Sequence, residues 1–286
     1  MRKRIFYPII GALVIYGVAV QAEPVGYVGA SIGQSWAENH SDDDNKRAGF
    51  GSVNGAIADS ISSTGTVVLE AELREDKHSA DILDNGDDMK LQYQIGVHYL
   101  HDIGENKIGA FVAYNETPHY GGDEDYRTAL VGVEGLFTVA PETTLFGQLG
   151  YGHAKNDGAS SRGFEDGYFV RVGGAYTGFE NTILKLEAEL AGTEEYEDSH
   201  EGGDLKKYNF LGETGINSDN SLAVTYGVSY GTYRASGDDD NVEETMVNLG
   251  FRYYFGGTTA TKMHNAGIIG LPTLPARATS WVPALD

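Results

Sequence analysis

Between Val242 and Phe255 the residues alternate without interruption. Thr245, Val247, Leu249, Phe251, Tyr253 and Phe255 share one parity, and Glu244, Met246, Asn248, Gly250, Arg252 and Tyr254 share the other. Successive side chains of a β-strand point to opposite faces, so one face here is apolar and ends in aromatics while the other is polar and charged. A soluble sheet can also be built from such a strand. The same alternation, however, returns along nearly the whole chain behind a secretory signal. The combination predicts an all-β fold, a closed transmembrane antiparallel β-barrel with lipid outside and a wet lumen inside.

The start of the chain sets the compartment. Arg2, Lys3 and Arg4 precede an apolar run, Ile5 to Val20, and Val20-Gln21-Ala22 offers small residues for cleavage. This predicts a signal peptide over residues 1–22, and therefore an envelope protein. An uncleaved anchor helix is the competing reading, weakened by the shortness of the run and by Pro8, Gly11 and Gly17. No Cys follows the cleavage site, and none occurs anywhere, so there is no disulfide framework and no thiolate metal site. The net charge is −22, and loss of the three basic residues of the signal lowers it to −25. Such a chain repels the phosphates of nucleic acid.

About 12 strands can be read along residues 23–256. Val28, Ala30, Ile32 and Trp36 mark an apolar face over Pro24–Glu38; Ala48–Ser60 is rich in Gly and Ala and its faces cannot be assigned. Val67, Leu69, Ala71 and Leu73 oppose Val68, Glu70, Glu72 and Arg74; Leu91, Tyr93, Ile95, Val97 and Tyr99 oppose Lys90, Gln92, Gln94, Gly96 and His98. The pattern continues through Lys107–Glu116, Tyr126–Val139 with Glu134 inward, Thr143–Lys155, and Gly167–Thr177 with Arg171 inward. In Thr182–Glu195 it sets Lys185, Glu187 and Glu189 inward, and in Leu205–Asn217 it sets Lys207 and Glu213 inward. Leu222–Arg234 precedes the strand described first.

Short turns alternate with long polar loops such as His40–Arg47, Lys77–Asp88 and Asn156–Asp166. This is the outer-membrane arrangement, with both termini on the short-turn, periplasmic side.

The stretch from Asn248 to Phe255 resembles the assembly signal of bacterial outer-membrane proteins, in which a polar residue is followed by Gly and by terminal aromatics spaced by two. Asn248, Gly250, Tyr253 and Phe255 fit it. With the signal peptide and the strands, the chain resembles the porin-like bacterial outer-membrane β-barrel superfamily over about Pro24–Gly256. The resemblance implies a place in the outer membrane of a Gram-negative envelope, contact with lipid and lipopolysaccharide, and insertion by the assembly machinery. One departure is plain. The terminal aromatic usually ends such a chain, whereas residues 257–286 follow here, with Ile268, Ile269, Leu271, Pro272, Leu274, Pro275 and Trp281. This tail either plugs the lumen or stays at the periplasmic mouth.

No catalytic constellation and no cofactor or metal signature stands out. His153, at the loop end of an outward face, is the best candidate for a rim hydrolase, but no Ser lies beside it in a matching signature, and an interfacial polar residue is the favoured reading. The inward charges carry more. Glu70, Glu72, Arg74, Lys90, Glu134, Arg171, Lys185, Glu187, Glu189, Lys207, Glu213, Glu244 and Arg252 all take the lumen parity. Unpaired, they are prohibitive in a dry core. In a polar pore they bias which solute passes; a closed interior of ion pairs is the alternative. The acidic runs Asp42–Asp44, Asp84–Asp88, Asp123–Asp125, Glu194–Asp204 and Asp238–Asp240 fall on the outer side, where they keep loops solvated or loosely hold divalent cations. The expected function is a passive, non-enzymatic channel for small polar or cationic solutes, with a closed surface-interaction barrel as the alternative.

Overall fold

The computed structural model describes residues 24–39, 45–78, 90–118, 125–156, 166–193, 203–235 and 241–273. The predicted signal peptide, the acidic runs 42–44, 84–88 and 238–240, residues 123–124 and 194–202, and tail residues 274–286 lie outside the described residues.

The strands are β1 (Val25–Asn39), β2 (Asn45–Ser60), β3 (Gly65–His78), β4 (Lys90–Ile103), β5 (Asn106–Pro118) and β6 (Asp125–Ala140). They continue with β7 (Thr143–Asn156), β8 (Asp166–Phe179), β9 (Thr182–Thr193), β10 (Gly203–Gly215), β11 (Leu222–Ala235) and β12 (Asn241–Phe255). Each pairs antiparallel with its sequence neighbours, and β1 pairs with β12 from Gly26↔Phe255 to Asn39↔Val242, which closes the barrel. Closure leaves no unpaired edge for lipid to meet. The strands run 12 to 16 residues, more than the roughly 9–11 that a tilted strand needs to cross the hydrocarbon.

Period-two alternation sorts the wall. The outer surface is a continuous apolar coat in which Ile32 is 70% and Leu186 65% exposed. Water would not tolerate so much exposed apolar surface on a monomer; hydrocarbon does. This is the physical ground for reading the wall as membrane-facing rather than as half of a soluble sandwich. In β2, whose faces the sequence left open, Phe50, Ser52, Ala56 and Ala58 are buried inside, and Val53 and Ile57 are exposed outside. Both faces of β2 carry small residues, so alternation in hydropathy is weak there.

Inward Phe side chains lie over glycines of the neighbouring strand. A Cβ at Gly173 would collide with the Phe146 ring, and one at Gly150 with that of Phe169. Glycine thus makes room for an aromatic layer in the lumen. The short-turn end is tight: Gly104 at φ 64° and Asn181 at φ 60° take the left-handed backbone such turns require.

After Phe255, Gly256 and Gly257 both have positive φ, 74° and 67°, and a Cβ at Gly256 would strike the backbone of Pro24. The chain therefore reverses at the mouth instead of leaving it. A short helix, α1 (Ala260–Asn265), follows. The Thr259 hydroxyl caps its N-terminus by accepting from the Lys262 N–H. At its end Gly267 (φ 98°) donates to the His264 carbonyl and Ile268 to the Met263 carbonyl, a Schellman stop. Among the described residues no helix is long and apolar enough to cross a membrane.

Ile32 sits at the middle of β1 facing outward, and its neighbour Ser31 faces the lumen and lines a cavity there. Ile32→Arg is expected to destabilise the barrel in lipid by about 2–4 kcal/mol, and Ser31→Arg to be tolerated. Urea unfolding of both variants in vesicles checks this; equal losses would mean that the two faces are misassigned.

Candidate functional site in the lumen

The site is the lumen together with the chain that enters it. Beyond α1, residues 268–273 run inside the barrel against one half of the wall. Their apolar side chains take three seats. Met263 and Ile268 pack with Tyr27, Ala58, Val68, Leu100 and Tyr254 near the short-turn end, forming an apolar floor. Ile269 packs on Leu136 and Phe146. Leu271 packs on Phe111, Leu130 and Phe169, and it lies directly over Gly96, where a Cβ would collide with it.

The tail's backbone is satisfied by wall side chains. Arg171 donates to the carbonyls of Gly270 (2.8 Å) and Ile269 (3.0 Å), to Gln148 Oε1 (3.0 Å) and to Glu187 Oε2 (2.9 Å). Its Nε lies 3.8 Å from Glu189 Oε1. Gln148 Nε2 donates to the Gly270 carbonyl at 3.0 Å and to Glu134 at 2.9 Å, and Glu134 also faces His98 Nδ1 at 2.8 Å. Further along, Gln94 Nε2 donates to the Pro272 carbonyl (3.0 Å). The Thr273 N–H donates to Glu189 (2.9 Å), and Lys207 Nζ donates to the Thr273 hydroxyl (2.7 Å). One connected polar network thus runs across β4, β6, β7, β8, β9 and β10 and through the tail. Charge-assisted bonds in a site withdrawn from water are the strong ones.

The inward residues expected from parity divide into groups. Arg171, Glu134, Glu187, Glu189 and Lys207 belong to the network with the tail. Arg252 forms a separate ion pair with Glu213 (2.7 Å), stacks over the Tyr27 ring at 4.0 Å, and shares Glu213 with the Tyr254 hydroxyl. Arg74 lies 3.8 Å over the Phe50 ring and pairs with Asp76 at 2.9 Å. Glu244, also buried, accepts from the Tyr233 hydroxyl at 3.1 Å. Glu70, Glu72 and Lys185 line a cavity of about 300 Å³ that remains beside the tail. The Lys90 side chain lies outside the described residues, although the residue begins β4. Asn248, Gly250, Tyr253 and Phe255 of the assembly-signal motif all lie in β12 at the closing seam, with Gly250 opposite Ser31.

Several participants carried no sequence signal beyond parity: Gln94, Gly96, Gln148, and the pair formed by Thr144 Oγ1 and His264 Nε2 at 2.6 Å. His264 is buried and meets the Phe146 ring edge-on. Burial first, and Lys185 second, hold its imidazole well below the ordinary histidine value of 6.5. His153 stands apart from all of this. It is exposed, beside Asp166 of the next strand at 2.5 Å. Among the described residues no group of acidic or histidine side chains has the arrangement to hold a metal ion.

No protein-family profile matches the chain, and no curated protein is similar to it. Solved structures are similar in shape. An outer-membrane channel from Pseudomonas putida F1 superposes with a TM-score of 0.63 at 11% identity, over 83% of this chain and 97% of that one. The CymD monoaromatic hydrocarbon channel superposes at 0.51 and 7% identity, over 80% and 88%. These likenesses are ones of fold: the chain shares the closed antiparallel β-barrel of these outer-membrane channels.

Arg171→Met removes the guanidinium bonded to the buried Glu187 carboxylate and frees the tail carbonyls. We expect a loss of about 3–5 kcal/mol in denaturant unfolding, with residues 256–273 becoming open to protease. His264 makes tail docking depend on pH. The undocked imidazole takes a proton below about 6.5 that the docked one refuses, so docking is at full strength above that pH and weakens as the pH falls through it. Protease cleavage in the tail should therefore rise from pH 7.5 to pH 5, and His264→Gln should flatten the change.

Proposed function

We propose that this chain is a non-enzymatic channel of the bacterial outer membrane whose lumen is closed by its own C-terminal segment until that segment moves. The observation that carries the reading is the network at Arg171. The wall offers guanidinium, amide and carboxylate groups to a piece of chain that is not part of the wall. A barrel meant only as scaffold has no need of a charged interior, because apolar side chains of equal volume fill such a space at lower cost. A lumen meant to be wet at times does need one.

In this reading the short turns face the periplasm and the acidic loops face outward. Outer-membrane lipid and lipopolysaccharide surround the wall, with divalent cations loosely held at the loops. The assembly machinery acts on the seam strand β12. The solutes are small and polar, with a preference for cations set by the loops. The fold it shares with outer-membrane channels agrees with this. The second reading, a closed surface-interaction barrel, is favoured by the same tail if it never leaves.

Planar-bilayer recordings separate the two. The full chain should conduct rarely. Deletion of Thr258–Asp286, with barrel folding verified by heat-modifiable gel migration, should give steady openings. The openings should prefer cations in 0.01 M salt, where the Debye length is about 30 Å, and lose that preference in 1 M salt, where it is about 3 Å. A folded, silent deletion variant would establish the closed barrel instead.

A further inference from the structure

Two cavities meet at α1. The inner one measures about 300 Å³, lies in the lumen beside the tail, and reaches Lys185, Leu211 and Thr225 on β9, β10 and β11. The outer one measures about 340 Å³ and lies at the short-turn mouth, among Phe179, Asn181, Gly215 and Asn220. Met263 and His264 line the inner cavity, Thr259 and Thr261 line the outer one, and Ala260 lines both. Along β9–β11, therefore, a helix of 6 residues separates the lumen from the mouth. Met263 also supplies part of the apolar floor, and an apolar constriction stops ions by excluding the water that would carry them.

The two parts of the tail are fastened very differently. Residues 269–273 are bonded to the wall by Arg171, Gln148, Gln94, Glu189 and Lys207, mostly through their main chain. Among the described residues α1 makes one hydrogen bond to the wall, between His264 Nε2 and Thr144 Oγ1. Its other side-chain bonds close on the tail itself: the Lys262 N–H donates to Thr259 Oγ1, and Lys262 Nζ donates to the Gly257 carbonyl at 3.0 Å. What else holds α1 is the apolar contact of Ala260 and Met263 with the floor, which has no directional requirement. The helix also lies between two left-handed glycines, Gly257 and Gly267. A Cβ at Gly257 would meet nothing within 4 Å, so no neighbour packs on that link. A few residues at the ends of an element suffice to absorb the dihedral change of a hinge motion.

The geometry points to α1 as the gate of the channel, with residues 269–273 as a strap that stays in place when it opens. The helix turns outward at Gly257 and Gly267, Met263 leaves the floor, and the two cavities join into one path along β9–β11. The bonds around Arg171 are not broken in this motion, so the charged network keeps its partners and the strap still covers the half of the wall it lies against. The solute is then confined to the remaining half of the lumen, which keeps the path to small molecules. This inference rests on the channel reading and adds to it the place where the barrel opens and the part of the tail that moves.

Thiol labelling of the full chain in vesicles tests it. Met263 and Leu271 are both buried and both line the inner cavity, so the variants Met263→Cys and Leu271→Cys offer a water-soluble thiol reagent the same approach. The thiol at 263 should react about tenfold or more faster than the thiol at 271, because α1 opens locally while the strap stays closed. Equal rates would overturn the proposal, since they would mean that the tail moves as one body. Bilayer recordings add a second test with the pairs Thr144→Cys with His264→Cys and Gly96→Cys with Leu271→Cys, each joined by a short reducible bifunctional thiol reagent. Joining the helix to the wall should lower the opening frequency about tenfold or more, with recovery on reduction, whereas joining the strap should change it by no more than about twofold. Silence of the strap-linked chain, or undiminished openings of the helix-linked chain, would overturn the proposal. The labelling ratio needs no current: a folded, silent deletion variant would end the channel reading, and the ratio would still decide whether α1 moves without the strap.

Discussion

A guanidinium in the middle of a membrane-spanning barrel has to be satisfied from every side, and at Arg171 the satisfaction comes from two sources. Glu187 on the next strand, with Glu189 beyond it, supplies the charge; the carbonyls of Ile269 and Gly270, from a segment outside the wall, supply the remaining acceptors. Neither set suffices alone. Without the tail the cation keeps its ion pair but loses two acceptors, and water has to replace them. Without Arg171 the tail carbonyls and two carboxylates face each other. Burial of the charge and position of the tail are therefore one problem with one solution, and the wet half of the lumen is what that solution leaves over.

The tail itself is held by shape as much as by charge. Gly96 leaves the seat that Leu271 fills, and paired inward Phe and Gly residues build the aromatic surface around it. The two left-handed glycines after Phe255 aim the chain back into the barrel, and the helix stop at Gly267 turns it along the wall. Apolar contacts give the tail affinity, whereas the bonds to its backbone carbonyls fix its register.

Most of the wall could be read in the sequence, because a two-residue period and a lipid exterior leave little freedom. Where one face is apolar and the other charged, as in β4, β9 and β12, the assignment follows from parity alone. It failed to emerge in β2, where Gly and Ala occupy both faces. The inward side of Arg171 was legible, but its partners were not. Two are main-chain carbonyls, which any residue carries, and their nearness depends on how the tail folds. The Thr259 and Gly267 caps of α1 are signals, but a helix of 6 residues is too short to show a period between them. His264 had no visible role, since a lone histidine acquires one only when burial and a neighbour such as Thr144 are known.

The tail lies inside the barrel, and the absence of any native Cys makes that directly measurable. Gly96→Cys combined with Leu271→Cys places two thiols where the wall and the tail touch, since a Cβ at 96 would meet the end of the Leu271 side chain. Oxidation of intact outer membranes, followed by non-reducing electrophoresis, should show the cross-link in most of the protein. A control pair at the seam, Val28→Cys with Tyr253→Cys, is in register and should link as well. A linked seam with free thiols at 96 and 271 would contradict the account, because it would put the tail outside the lumen.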